Sequence, residues 1–321
     1  MRIVLFANNW NGWEVARWLR QRGEGIVGLV LNNPGEQRFS DEILKALALP
    51  GDKVWFAHQL RNQDTLMRLG ALRADMGISA SFGYLLKPEL LKMFPRECIN
   101  LHAALLPYNG GWYTNVWPIV DGTPAGATIH YIDAGVDSGD VIVQREMPVE
   151  PTDTGGSLHE KITRDLIELF KENWSSIRAG TNSRTAQDRG KGTSHRKAEI
   201  NGISRIDLEG KYRGRDLLNL LRARTYPPYP SACYLEGDRP VYVRVELARR
   251  EHLTRNGGYP KGDLDLEYKA ADLLHLLGLH ESAPNRFVQF ASESGPFLAR
   301  AFVVNETEFH PEASPDWMTN G

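Results

Sequence analysis

"NQDTLMRLGALRADMGISASFGYLLKPELLKMFPRECINLHA", residues 62–103, holds the pattern that decides the fold. "NQDTLMRLGALRA" reads as a helix, "DMGISASF" as a strand, "KPELLKMF" as a short helix and "CINLHA" as a second strand. Pro88 falls near the start of the short helix, where a missing backbone N–H costs no intrahelical bond. Upstream, "RIVLFA" (2–7) and "GIVGLVL" (25–31) are strands flanking a helix from Asn11 to Arg22, with Trp13, Val15, Ala16 and Leu19 at helical spacing. "SDEILKALAL" opens a helix with Ser40 as its expected N-cap, and "KVWFAH" follows as a strand. Downstream come the strands "ATIHYI" and "DVIVQREMPV", then an amphipathic helix over 157–178. Strand and helix in alternation predict an α/β fold, a Rossmann-like and mostly parallel sheet covered on both faces, over residues 1–185.

The 321 residues are 24% charged with a net charge of −2, so nothing global points to nucleic acid or a membrane surface. Cys98 and Cys233 are the two cysteines, too few for a disulfide framework or a CxxC metal knuckle, which fits a reducing, cytoplasmic setting. The opening "MRIVLFANNWNGWEV" turns polar too early for a signal peptide, and no apolar run is long enough to span a bilayer. "FANNWNGWEV" lacks GxGxxG, and no GxxxxGK[ST] occurs, so neither a dinucleotide fingerprint nor a P-loop is signalled.

Residues 186–206 are polar and basic and read as a linker or excursion. A smaller α+β region follows. It reads as two helix–hairpin units, over 207–250 and 251–321, because "DLEGKYRGRDLLNLLRA" from Asp207 is echoed by "DLEYKAADLLHLLG" from Asp265. Asp216-Leu217-Leu218 matches Asp272-Leu273-Leu274 at an offset of 56. Residues 189–255 hold fifteen Lys/Arg against eight Asp/Glu, whereas 256–321 hold four against ten, so only the first unit has the charge to meet phosphate. The tail after Phe309 is polar and carries no signal.

Chemistry concentrates in "CINLHAALLPYNGG" (98–111). On a strand Asn100 and His102 point to one face, and both can donate hydrogen bonds to a single oxygen that gains negative charge. The "LLPYNGG" break places them at the C-terminal edge of the sheet, where open α/β sheets bind ligands. "IDAGVDSGD" (132–140) adds Asp133, Asp137 and Asp140 on a glycine-rich loop between strands, and a carboxylate beside His102 would hold its imidazolium. The other histidines, His58, His130, His159 and His195, show no metal-ligand spacing and read as satisfied or exposed side chains.

The string "INLHAALLP…GG…P…DG…GATIHYIDAGVDSGD" resembles the signature of the formyltetrahydrofolate-dependent formyltransferases, best over residues 75–175. The resemblance implies Asn100, His102 and Asp137 as catalytic residues and 10-formyltetrahydrofolate as co-substrate, with no metal. By the same analogy the folate lies beside Phe82, Gly83, Tyr84, Leu85 and Leu86 and the loop bearing Asp133 and Gly135. "FANNWNGWEVARWL" and "LLNLLRARTYPPYPSACY" resemble the sugar N-formyltransferases that act on dTDP-linked amino-dideoxyhexoses in surface polysaccharide synthesis. That implies a nucleotide-linked amino sugar, of dTDP-3-amino- or dTDP-4-amino-dideoxyglucose type, met by Asn9 and Trp10, by Trp112, Tyr113 and Asn115, and by Arg222, Arg224 and Tyr226 for pyrophosphate contacts and stacking. Methionyl-tRNA formyltransferases usually read "LLPxYRGxxP" after the histidine, whereas this chain reads "LLPYNGGWYTNVWP". A tRNA acceptor, a formyltetrahydrofolate hydrolase and a non-catalytic binding protein stand as alternatives, and a homodimer joined through C-terminal elements is compatible with all of them.

Overall fold

A computed structural model describes residues 1–249, 259–279 and 287–305. Chain order runs β1 (Arg2–Ala7), α1 (Asn9–Gln21), β2 (Gly25–Leu31), α2 (Ser40–Leu47), β3 (Val54–Phe56), α3 (Gln63–Ala71), β4 (Met76–Ala80), α4 (Pro88–Leu91) and β5 (Cys98–His102). It continues with β6 (Gly110–Gly111), α5 (Trp117–Val120), β7 (Ala125–Tyr131), β8 (Val141–Met147), α6 (Gly155–Ala179), β9 (Ser194–His195) and α7 (Glu199–Ser204). Two similar blocks close it. They are β10 (Lys211–Arg213), α8 (Gly214–Ala223), β11 (Ala232–Glu236) and β12 (Arg239–Arg249), then β13 (Glu267–Lys269), α9 (Ala270–Leu276), β14 (Val288–Phe290) and β15 (Phe297–Val304).

Two compact units interleave along the chain. The first comprises Met1–Gly111, Gly126–Met147 and Lys161–Ser194, and the second Trp112–Ala125, Pro148–Glu160 and the chain from His195. The first unit contains the seven-stranded sheet, ordered β3-β2-β1-β4-β5-β7-β8. β1 is parallel to β2 and β4, and β4 to β5, whereas β5 and β7 run antiparallel. Ile3, Val4, Leu5, Phe6 and Ala7 of β1 are fully buried, the continuous apolar run that a parallel strand covered on both faces requires. α1 lies tight against β1 because position 12 is glycine: a Cβ there would stand 2.9 Å from Ala7 Cβ. The same holds between β4 and β5, where a Cβ at Gly77 would meet Cys98 Sγ at 2.4 Å.

One expectation changes. α2 begins at Ser40, so the N-cap is Phe39 in a left-handed conformation (φ 58°), and no side chain caps the helix. The stretch 186–206, read as a linker or excursion, contains α7, whose Ile200 is buried.

The second unit contains an antiparallel sheet ordered β11-β12-β15-β14 and a two-stranded ribbon of β10 and β13. One core takes side chains from both blocks, including Leu217, Leu221, Tyr234 and Val245 from the first and Leu273, Leu277, Phe290 and Ala301 from the second. Each block supplies a helix and an antiparallel strand pair among the described residues, and parts of the second block and the tail after Phe309 lie outside them. Among the described residues, no helix is long and apolar enough to cross a membrane.

The close approach of β4 and β5 is testable. Gly77→Ala is expected to lower stability by about 1–3 kcal/mol through overpacking, and Cys98→Ala in the same chain to return part of that loss by removing the sulfur it meets. Urea unfolding midpoints of the two variants check this.

Candidate active site

β5 sits between a parallel neighbour and an antiparallel one, and the antiparallel partner completes the site. Asn100 lies opposite His130 in the β5–β7 register, and His102 opposite Thr128. Asn100 Nδ2 lies 3.2 Å from His130 Nε2, and His130 Nδ1 lies 2.8 Å from the Tyr131 carbonyl oxygen. A carbonyl only accepts, so Nδ1 carries the proton and donates to it. Nε2 then accepts from the Asn100 amide, and one amide N–H of Asn100 stays uncommitted by this pair. Burial, aided by the neighbouring His102, pushes the His130 pKa down to about 4, which keeps the ring neutral.

His102 is 8% exposed. Its Nδ1 lies 3.7 Å from Asp137 Oδ1, and its Nε2 is buried without a hydrogen-bond partner among the described residues. Asp137 Oδ1 is also 3.7 Å from His130 Nε2. That second approach is no ion pair, because the His130 nitrogen facing it is the unprotonated one.

Asp137 is held in a left-handed conformation (φ 48°), unusual for a non-glycine residue and sustained by its surroundings. Gly111 N–H donates to its Oδ2 at 2.9 Å, and Gln187 Nε2 donates to its carbonyl at 2.9 Å and to that of Gly139 at 2.6 Å. Asp133 closes the loop from within, its Oδ1 accepting from Gly135 N–H at 2.9 Å and Ser138 Oγ–H at 2.6 Å. Thr193 straps the "PYNGG" segment: its N–H donates to Pro107 O, and its carbonyl accepts from Gly110 N–H. Thr128 Oγ donates to Ala104 O at 2.6 Å and accepts from Leu106 N–H at 3.1 Å, pinning the turn after β5.

The other expected residues divide between the units. In the first, Phe82 stacks obliquely on Phe6 and Tyr84. Gly83 N–H donates to Asn32 Oδ1 at 3.3 Å, and the Tyr84 hydroxyl bonds Glu36. Leu85 is exposed, while Leu86 is buried in the core. Asn9 begins α1 at φ 61°, its Oδ1 accepting from the N–H of Trp10.

In the second unit, Trp112 is exposed with Lys197 Nζ 5.8 Å from its ring, and Tyr113 adopts φ 60°. Asn115 is buried and donates to Gly155 O at 2.8 Å. Tyr226 contacts His159 and Tyr229. Arg222 departs from its expected role. It is 8% exposed and spends its guanidinium on the carbonyls of Glu150 and Asp153, both at 2.9 Å, and on Asn219. Arg224 donates from Nη2 to Pro230 O, and its Nε is buried without a partner among the described residues. Arg222 thus ties a loop to α8 with its guanidinium, whereas Arg224 holds the Pro230 carbonyl and leaves its Nε over.

His130, Gln187 and Thr193 are the residues that sequence reasoning missed. The signal for His130 was its place in the strand following "LLPYNGG", opposite the one that carries Asn100. Gln187 and Thr193 sat inside the expected linker and carried no signal.

The family model for formyl transferase matches residues 1–171, and the model for the N-formyltransferase dimerization C-terminal domain matches residues 199–249. A dTDP-4-amino-4,6-dideoxyglucose formyltransferase of Mycobacterium bovis is 36% identical over 153 residues, covering 47% of this chain and 64% of that protein. The match thus spans less than two thirds of that relative's length. A methionyl-tRNA formyltransferase of Synechococcus is 33% identical over 228 residues, 68% of either chain. A solved N-formyltransferase from Helicobacter canadensis, in complex with folinic acid and dTDP-3-aminofucose, superposes with a TM-score of 0.62 at 17% identity, covering 94% of this chain and 98% of that one. At that identity the likeness is one of fold.

The neutral His130 carries a pH signature. A histidine whose folded pKa lies near 4, against about 6.5 unfolded, binds a proton more readily in the unfolded state. Its contribution to stability is therefore complete above about pH 6.5 and is lost as pH falls toward 4. The stability gap between the wild type and His130→Gln is expected to narrow by roughly 3 kcal/mol over that window. Denaturant unfolding of both proteins at stepped pH reads it.

Proposed function

We propose that this chain, which belongs to the formyl transferase family, moves the formyl group of 10-formyltetrahydrofolate onto the amine of a nucleotide-linked amino sugar. The observation that carries the reading is the convergence of Asn100, His102 and Asp137 at the end of β5. Attack by the amine forms a nitrogen–carbon bond, breaks the bond from the formyl carbon to N10 of the folate, and returns a proton to N10. The carbonyl oxygen gains negative charge on the way. The spare Asn100 N–H and a protonated His102 are placed to donate to it, while Asp137 stabilises the imidazolium. His102 Nε2, buried and unpartnered among the described residues, fits an incoming oxygen. The folate is expected against Phe82, Gly83, Tyr84, Leu85 and the loop bearing Asp133 and Gly135. Leu86 supports that wall from the core.

The amino-sugar acceptor rests on the Mycobacterium bovis relative and on the sequence likeness of "FANNWNGWEVARWL" and "LLNLLRARTYPPYPSACY" to sugar N-formyltransferases. A dTDP carrier follows from the same relative. The positive charge of residues 189–255 and the Synechococcus relative favour methionyl-tRNA as the second reading. Against it stand the "LLPYNGG" departure and the internal commitments of Arg222 and Arg224, which leave less cationic surface for a nucleic acid backbone.

The test is a transfer assay with 10-formyltetrahydrofolate and either dTDP- and UDP-amino sugars or methionyl-tRNA, the acceptor being weighed afterwards. A gain of one formyl group on an amino sugar is expected. A gain on methionyl-tRNA alone would reassign the acceptor, and folate consumption without a formylated acceptor would make the protein a hydrolase. In the same assay His102→Ala is expected to lower kcat by about 10²–10⁴-fold with the fold intact, and Asp137→Asn to act in the same direction.

A further inference from the structure

The dimerization-domain match ends at residue 249, yet the second unit repeats that module once more, and every register relating the two copies keeps the offset of 56 between Asp216 and Asp272. The hairpin pairs Ala232 with Val243 in the first copy and Val288 with Ala299 in the second. The parallel bridges are Arg205 to Cys233 and Lys261 to Gln289. Asp207 N–H donates to the Tyr212 hydroxyl and Asp263 N–H to the Tyr268 hydroxyl, so the true counterpart of Asp207 is Asp263 rather than Asp265.

The contacts between copies are reciprocal. Gly214 N–H donates to Leu266 O, and Ala270 N–H to Gly210 O; Arg215 N–H donates to Leu264 O, and Ala271 N–H to Leu208 O. Two residues face their own equivalents: Tyr212 opposite Tyr268 in the ribbon, and Val245 opposite Ala301 in the sheet. A pattern in which residue i meets j while the counterpart of j meets that of i is the mark of a two-fold, isologous interface. Here both halves belong to one chain, and they share one core.

We infer that the second copy occupies the place of a partner subunit's module, so that the pairing face of residues 199–249 is filled from within the same chain. At one position charge favours unlike copies: Lys211 pairs with Glu267, which stands at the position equivalent to Lys211, so two first copies would set lysine against lysine there. Connectivity favours one chain. Eleven residues separate Arg249 from Lys261, a tether short enough to give the second copy an effective concentration in the millimolar range.

The inference does not depend on the acceptor or on catalysis, and a cross-link tests it apart from them. Glu246 and Arg300 are partly exposed, ion-paired and directly opposite across β12 and β15, while Cys98 and Cys233 are buried. The double variant Glu246→Cys, Arg300→Cys is oxidised and run without reductant beside a reduced sample. The expected result is near-complete disulfide formation within single chains, read as a faster-migrating monomer band. A cross-linked dimer would show that the copies pair between chains, and failure to cross-link in a variant with native circular dichroism would show that β12 and β15 do not pair. Either result overturns the inference.

Discussion

The hydrogen bond from Asn100 to His130 is the interaction on which the site depends. β5 lies inside the sheet between two buried strands, and a half-buried amide placed there loses part of its hydration unless it finds a partner. Antiparallel pairing with β7 supplies that partner in register. The Tyr131 carbonyl fixes the tautomer of His130, and burial keeps it neutral, so the ring acts as an acceptor and not as a competing cation. The amide is thereby aimed, with an N–H left over. A protonated His130 would lose its role as acceptor for the Asn100 amide.

Asp137 answers a different constraint. A carboxylate that stands 3.7 Å from both His102 and His130 must be held against solvent to keep that position. The protein meets this by bending the loop through a left-handed residue and holding it from two directions, with Gly111 N–H on the side chain and Gln187 on the backbone. The "PYNGG" turn is held in its own place by Thr193. A segment that looks like a linker in composition thus sets the geometry of two loops of the candidate site, through backbone bonds that many polar residues could make.

The second unit shows how little of a pairing surface is visible in one copy alone. A helix and a hairpin bury one face of a sheet, but a strand edge such as that of β12 remains until something pairs with it. β15 pairs with it along eight residues, and the helices of both copies close over one core. The same need that makes a single module seek a second chain is met here by repetition along one chain.

The sequence by itself determined the alternation of strand and helix, the parallel sheet, and the polar pair on β5. All of these follow from local periodicity and from the chemistry of adjacent residues. It also contained the repeat, because "DLL" recurs at a fixed offset within matched surroundings. Tertiary structure alone decided that His130 is part of the site, since its partner lies thirty positions away across a strand pair. It decided too that Arg222 is a buried strut, because an arginine on an amphipathic helix looks the same in sequence whether it faces solvent or a neighbouring carbonyl. Long-range pairing and burial fix such roles, and neither is written in the spacing of neighbouring residues.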